Sequence, residues 1–198
     1  LILNPDLKID EKSIVNMYDI LNQYSDCAIV APVTRFSKDF YGAFPERNIK
    51  NLTLKNALKS RNLLLNSEIE SEICVDVAKW ALLIKVEEFR KISGFNEKLF
   101  IFWEEIDLCR RFRSQKLSVI VTPKSSVEHE QEKSSDSDFQ NFLIKTYYHE
   151  YSPLVYFNVQ AFSFFYLKRM MKYLFRGISY LMILNLKKSL IYFLRLSA

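Results

Sequence analysis

The chain has 198 residues, of which 49% are hydrophobic and 26% charged, with a net charge of +5; this suits one folded domain with an appendage and excludes a low-complexity or disordered chain. Its three cysteines, Cys27, Cys74 and Cys109, fit neither a disulfide framework nor a zinc spacing, and are expected to be reduced core thiols in a cytosolic setting. The two histidines, His129 and His149, are too few for a histidine-rich metal cage, although either could join carboxylates around one ion.

Residues 1–3, Leu-Ile-Leu, read as a short apolar strand entering an Asn4-Pro5-Asp6 turn. This opening is expected of the second half of a larger fold, and no targeting segment is visible at it. Residues 11–24 put Ile14, Val15, Tyr18 and Leu21 on one helical face, with Ile20 at its margin and Asp10 or Ser13 available as the cap. Cys27–Val33 is a β-branched run that reads as a buried strand, which predicts a β–α–β unit with parallel strands. Residues 34–50 read as a surface loop, and 51–71 are ambiguous between helix and irregular strand.

Ile73 to Ile84 predicts two strands or one bent strand, and Val86–Ser93 a helix ended by Gly94. In the following stretch, GFNEKLFIFWEEIDLCRRFR, the run Phe100, Ile101, Phe102 and Trp103 calls for burial. Glu104, Glu105 and Asp107 then occupy the first turn of a helix, with Arg110, Arg111 and Arg113 further along. Leu117–Val121 predicts a strand stopped by Thr122 and Pro123, and Ser125–Glu128 an edge strand leading to His129. Residues 130–138 read as a mobile loop and 139–150 as a helix.

The basicity belongs to the end of the chain. Residues 151–198 carry seven of the 28 basic residues and none of the 23 acids, so residues 1–150 carry a net −2. The longest uncharged run there, 151–167, falls short of a membrane span. Lys168, Arg169, Lys172 and Arg176 then recur at helical spacing among Phe164, Phe165, Leu167, Met170, Met171, Leu174 and Phe175, a cationic amphipathic helix that Gly177 is expected to break. Residues 178–196 repeat the theme. Two readings stand side by side, a helix pair folded on the body and a membrane-surface element. Nucleic acid is not expected as a partner, because no binding motif accompanies the charge.

The acids of 104–107 admit two readings. Acid-first, base-last order is what a stable surface helix prefers, and Asp107 with Arg111 is an ordinary i,i+4 pair. Alternatively, one carboxylate stands at a cleft as a general base, aimed by the aromatic run before it. Asp6 likewise is either a turn or helix cap or a ligand-side acid at a strand end.

The order of landmarks, namely strand then Asn-Pro-Asp, core segment 75–84, Gly94-Phe95-Asn96-Glu97, the Glu-Glu-Ile-Asp-Leu-Cys run, and a strand leading to a lone His129, resembles the C-terminal half of the catalytic domain of family 2 glycosyltransferases, especially rhamnosyltransferase-like members. The resemblance covers about residues 1–130. It implies an α/β fold, a partial GT-A-like (Rossmann-like) mixed sheet with flanking helices over 1–150, plus amphipathic helices over 151–198. It further implies transfer, usually with inversion, of a sugar from a nucleotide-diphospho-sugar to a hydroxyl of a glycan or lipid-linked acceptor in envelope polysaccharide synthesis. Glu105 matches the catalytic base, with Glu104, Asp107 and Arg111 supporting it. Asp6 matches the last acid of a motif holding Mg²⁺ or Mn²⁺ against the diphosphate, and His129 a histidine completing that site.

Three departures accompany the match. Glu105 stands where the family's base is often Asp, one methylene shorter but the same carboxylate chemistry. Ala78-Lys79-Trp80 stands where the family commonly has a small Ser-Gly-Ala-like turn, and the family's N-terminal nucleotide-binding half is not in this sequence, so the chain alone is expected to be inactive. The expected location is cytoplasmic, peripheral at the inner face of the membrane, with Lys168, Arg169, Lys172 and Arg176 as the membrane-surface residues. The alternative is a membrane-associated, non-catalytic module lacking the donor-binding half.

Overall fold

The computed structural model describes residues 1–35, 43–45, 71–129, 139–159 and 163–197. Among these the chain is mixed α/β. Its strands are β1 (Ile2–Leu3), β2 (Leu7–Ile9), β3 (Cys27–Arg35), β4 (Ala43–Pro45), β5 (Ile73–Ala78), β6 (Ala81–Ile84) and β7 (Ser118–His129). The helices are α1 (Glu11–Gln23), α2 (Val86–Lys91), α3 (Glu104–Ser114), α4 (Phe139–Tyr156), α5 (Phe164–Met182) and α6 (Leu186–Ser197). The chain forms two compact units, one of Leu1–Asn96 with Glu104–Ser134 and one of Glu97–Trp103 with Ser135–Ala198. The later unit takes in α4, and segment 97–103 belongs with the later helices.

The first unit is built on a sheet of order β1-β6-β3-β7-β5-β4, with β2 paired to β7. β3 and β7 are parallel, from Cys27 opposite Ser118 to Arg35 opposite Glu128; the other described pairings are antiparallel. The expected β–α–β unit is therefore modified. β1 and β3 run in the same direction but are not neighbours, because β6 lies between them, antiparallel to both. A bond from the Asn4 amide to the Trp80 carbonyl, 2.9 Å, ties the end of β1 to the start of β6.

One strand reading holds and two change. Ile73–Ile84 is two strands that do not pair with each other, since β5 joins β7 and β4 whereas β6 joins β1 and β3. β7 continues through Pro123 instead of stopping there. A register shift against β3 takes up residues 123–125 between the Pro32–Thr122 and Val33–Ser126 pairs, and β2 covers the far end, so this is no edge. Within 34–50, read as a loop, residues 34 and 35 extend β3 and Ala43–Pro45 pairs with β5. The remainder of that stretch, together with 51–70 and 130–138, lies outside the described residues.

Side chains alternate across the sheet, as the two-residue period of a strand requires. Ile29, Ala31 and Val33 of β3 and Val119 and Val121 of β7 pack with Leu108, Cys109 and Phe112 of α3. The intervening Val30 and Ile120 pack with Met17, Ile20 and Leu21 of α1. The buried face of α1 is thus rotated from the one expected, and Val15 and Tyr18 are exposed. Polar anchors account for the rotation: Ser125 Oγ donates to the Ser13 carbonyl at 2.8 Å and Asn16 Nδ2 to the Lys124 carbonyl at 2.7 Å. Asp10 is the cap, its Oδ1 accepting from the Ser13 amide at 2.6 Å. Cys27 and Cys109 are buried as expected, whereas Cys74 is exposed.

In the second unit, α4 carries an aromatic row that receives segment 97–103. Trp103 meets Tyr156 and Phe157 at centroid distances of 4.9 and 5.4 Å, Phe102 meets His149 at 5.7 Å, and Phe100 meets Tyr148 at 5.2 Å. Ser152 Oγ donates to the Ile101 carbonyl at 2.7 Å. The expectation of a buried run holds only in part, since Phe100 is 70% exposed. Gly177 does not break its helix. α5 runs through it, with the Phe193 ring of α6 packed where a side chain would stand.

Candidate active site

α3 begins at Glu104 because acids fill its first turn and Leu108, Cys109 and Phe112 recur on the face that meets the sheet. The Cys109 thiol donates to the Ala78 carbonyl at 3.7 Å, seating the helix against the end of β5. At the other side, Arg111 makes two contacts. Its Nε pairs with Asp107 Oδ2 at 2.7 Å and its Nη1 donates to the Ile92 carbonyl at 2.8 Å. Arg111 thereby ties α3 to the end of α2, where Gly94 takes φ +70° and its amide returns to the Phe89 carbonyl at 2.9 Å. Asp107 and Arg111 thus form an ion pair that also carries a structural anchor.

Glu104 is the electrostatically unusual acid. Burial, then the neighbouring Glu105 charge, raises its pKa to about 7, and the Lys79 charge works against that rise. Its Oε2 is buried without a hydrogen-bond partner. Glu105, one residue on, is half-buried. Lys79 enters the site by this charge coupling to Glu104, a role that spacing gave no hint of. Burial also raises the thiols, Cys109 to about 12 and Cys27 to about 11, so neither is a nucleophile near neutrality.

The backbone around these acids is strained. Phe102 and Trp103, immediately before Glu104, have φ of 65° and 73°, and Trp80, beside Lys79, has φ 73°. Non-glycine residues in this left-handed region cost about 1–3 kcal/mol each and gather where geometry is over-determined. Trp80 adopts in the β5–β6 turn the backbone that a small residue would enter at less cost.

Asp6 lies in the turn between β1 and β2, and His129 ends β7 directly opposite Leu7. The register thus brings the backbones of Asp6 and His129 to one strand end. Among the described residues no group of three or more His, Cys, Asp or Glu side chains is arranged to hold a metal. Of the tail cations, Lys168, Lys172 and Arg176 are exposed, Arg176 standing 5.6 Å from the Tyr192 ring centroid, while Arg169 turns inward to pair with Glu150. Glu150 is a further buried acid that periodicity missed, 6% exposed, accepting from the Tyr173 hydroxyl at 2.7 Å and lying 3.4 Å from Arg195 Nε. Compared with known proteins, the chain matches no family model and no curated sequence.

Proposed function

We propose that the chain is catalytic machinery of a family 2-type glycosyltransferase with a GT-A-like fold, moving a sugar from a nucleotide-diphospho-sugar to the hydroxyl of a glycan or lipid-linked acceptor with inversion. The observation that carries the reading is the acid pair opening α3, two adjacent carboxylates in unequal surroundings behind a strained aromatic run. Adjacent carboxyls of unequal environment are how acid and base roles are divided.

In this mechanism Glu105 accepts the acceptor's hydroxyl proton as that oxygen attacks the anomeric carbon. The bond from that carbon to the nucleoside diphosphate breaks on the opposite face, and its electron pair leaves with the diphosphate. Glu104, protonated up to about pH 7, offers a donor instead of a base. Arg111 holds the helix register through Asp107 and the Ile92 carbonyl, so that Glu105 stays aimed.

A Mg²⁺ or Mn²⁺ ion fits this site only in part. Asp6 supplies one hard oxygen ligand at a strand end beside His129, and such ions commonly take one or two carboxylates and complete their shell with water and substrate phosphates. Held there, the ion would neutralise the departing diphosphate. Work at the cytoplasmic face of a membrane belongs to the same proposal, supported by the acid-free basic stretch 151–198.

The test is transfer from a panel of nucleotide-diphospho-sugars by the full gene product. Glu105→Gln is expected to abolish transfer while donor binding survives, and turnover retained by that variant would remove Glu105 as base. Absence of transfer from every donor would favour the non-catalytic module.

A further inference from the structure

We infer that the outward face of α5 and the α5–α6 turn form a docking surface for an anionic lipid bilayer. The inference rests on the peripheral-membrane part of the proposed function and needs nothing of sugar transfer. These two helices are packed inside out. Their mutual contacts include Gly177 against Ser189 and Phe193, whose Oγ and ring approach it, and Tyr180 stacked on Tyr192 at 5.5 Å, while Arg169 turns toward Glu150.

What faces outward is aliphatic and aromatic. Phe164, Leu167, Met171, Phe175, Ile178 and Met182 are all exposed, Phe164 by 84% and Met182 by 80%. They recur every three or four residues, so at about 100° per residue they share an arc of about 120° or less. Ile183, Leu184 and Leu186 continue the patch around the turn, also exposed. A contiguous apolar stripe of this length calls for an apolar neighbour.

Charge identifies the neighbour. Lys168 and Lys172 fall at the edge of the stripe and Lys187 and Lys188 just past the turn, all four exposed, with no acid anywhere in 151–198 to pair with them. A second copy meeting this face would set cation against cation, whereas an anionic headgroup layer pairs with the lysines as the stripe enters the acyl boundary. No described helix is long and apolar enough to cross a membrane, so α5 lies along the surface with its lysine stems reaching up to the headgroups.

The experiment is flotation of the full chain, without donor, on phosphatidylcholine vesicles with and without phosphatidylglycerol. Wild type should float with the anionic vesicles, less so at high salt. Met171→Ser with Phe175→Ser should weaken partitioning at least about tenfold, and Lys168→Gln with Lys172→Gln should remove the preference for phosphatidylglycerol. Circular dichroism checks folding, and Leu184→Asp, at a turn position 83% exposed, tests the same surface without touching a helix. Wild type that does not float, variants that float equally well, or a wild-type dimer that Phe175→Ser dissociates would each overturn the inference. Lost flotation by the variants, with transfer to a soluble acceptor kept when the same substitutions are made in the protein used for the transfer test, separates this surface from the proposed chemistry.

Discussion

Phe193 of α6 lies so close to Gly177 of α5 that a Cβ at residue 177 would meet its ring at 3.0 Å. Alanine would otherwise suit this helical position by about 0.5–1 kcal/mol, but crowding of a packed ring costs about 1–3 kcal/mol. Gly177→Ala should therefore destabilise the second unit in wild type and stabilise it in a Phe193→Leu background. Urea titration of the four proteins reads the change of sign.

Glu104 gives the protein a pH signature. Its folded pKa is raised from 4.5 to about 7, so the folded state binds more protons than the unfolded state between those values. The contribution is fully present below about pH 4.5 and is lost as pH rises through 7. Glu104→Gln should flatten that part of the stability–pH profile and be the more stable protein at pH 8. Carbon-13 NMR of the labelled carboxyl should titrate near 7 in wild type.

Arg111 spans Asp107 and the Ile92 carbonyl, and a lysine cannot reproduce both contacts. Arg111→Met should cost about 1–3 kcal/mol because it strands a mostly buried carboxylate. Adding Asp107→Leu should recover part of the loss, as a double-mutant cycle in denaturant would record.

Glu150 concentrates the charge of the second unit, with Arg169, Arg195 and the Tyr173 hydroxyl all on one carboxylate. Glu150→Ala leaves the buried Arg169 uncompensated and should cost about 3–5 kcal/mol. Thermal melts followed by near-ultraviolet dichroism of the tyrosines would show it. Glu150→Gln should fall between this variant and wild type.

Lys116 follows α3 with φ 64°, its amide bonded to the Arg113 carbonyl and the next amide to Phe112. That is the left-handed closing position where glycine is preferred. Lys116→Gly should stabilise the protein by about 1 kcal/mol, visible as a raised urea midpoint with unchanged slope.

Features set by near neighbours in the chain were readable from it. The Asp10 cap, the stop at Gly94, the acid-first turn of α3 and the β-branched β3 depend on residues within a few positions. Features set by distant partners were not. Pro123 looks like a strand end until β3 supplies the register shift that accommodates it. Gly177 looks like a breaker until Phe193 fills its space. Arg169 looks like a solvated cation because Glu150 lies nineteen residues back on a different helix. In the candidate site, Glu105 and the Asp107–Arg111 pair could be picked out by motif, whereas Lys79 and the strained Trp80 emerge from the β5–β6 turn.

Residues 97–103 make the chain pass from one unit to the other and back. The chain leaves the sheet-bearing unit after Asn96, lays Phe102 and Trp103 on the aromatic row of α4, and returns at Glu104. A cut anywhere after residue 134 would thus not separate two self-sufficient pieces. It would strip the partners from two aromatics bonded in series to the first acid of α3, leaving an apolar loop exposed. Truncation of the helical end should therefore read out as aggregation, and graded point changes within α4 are the sharper instrument for dissecting the second unit.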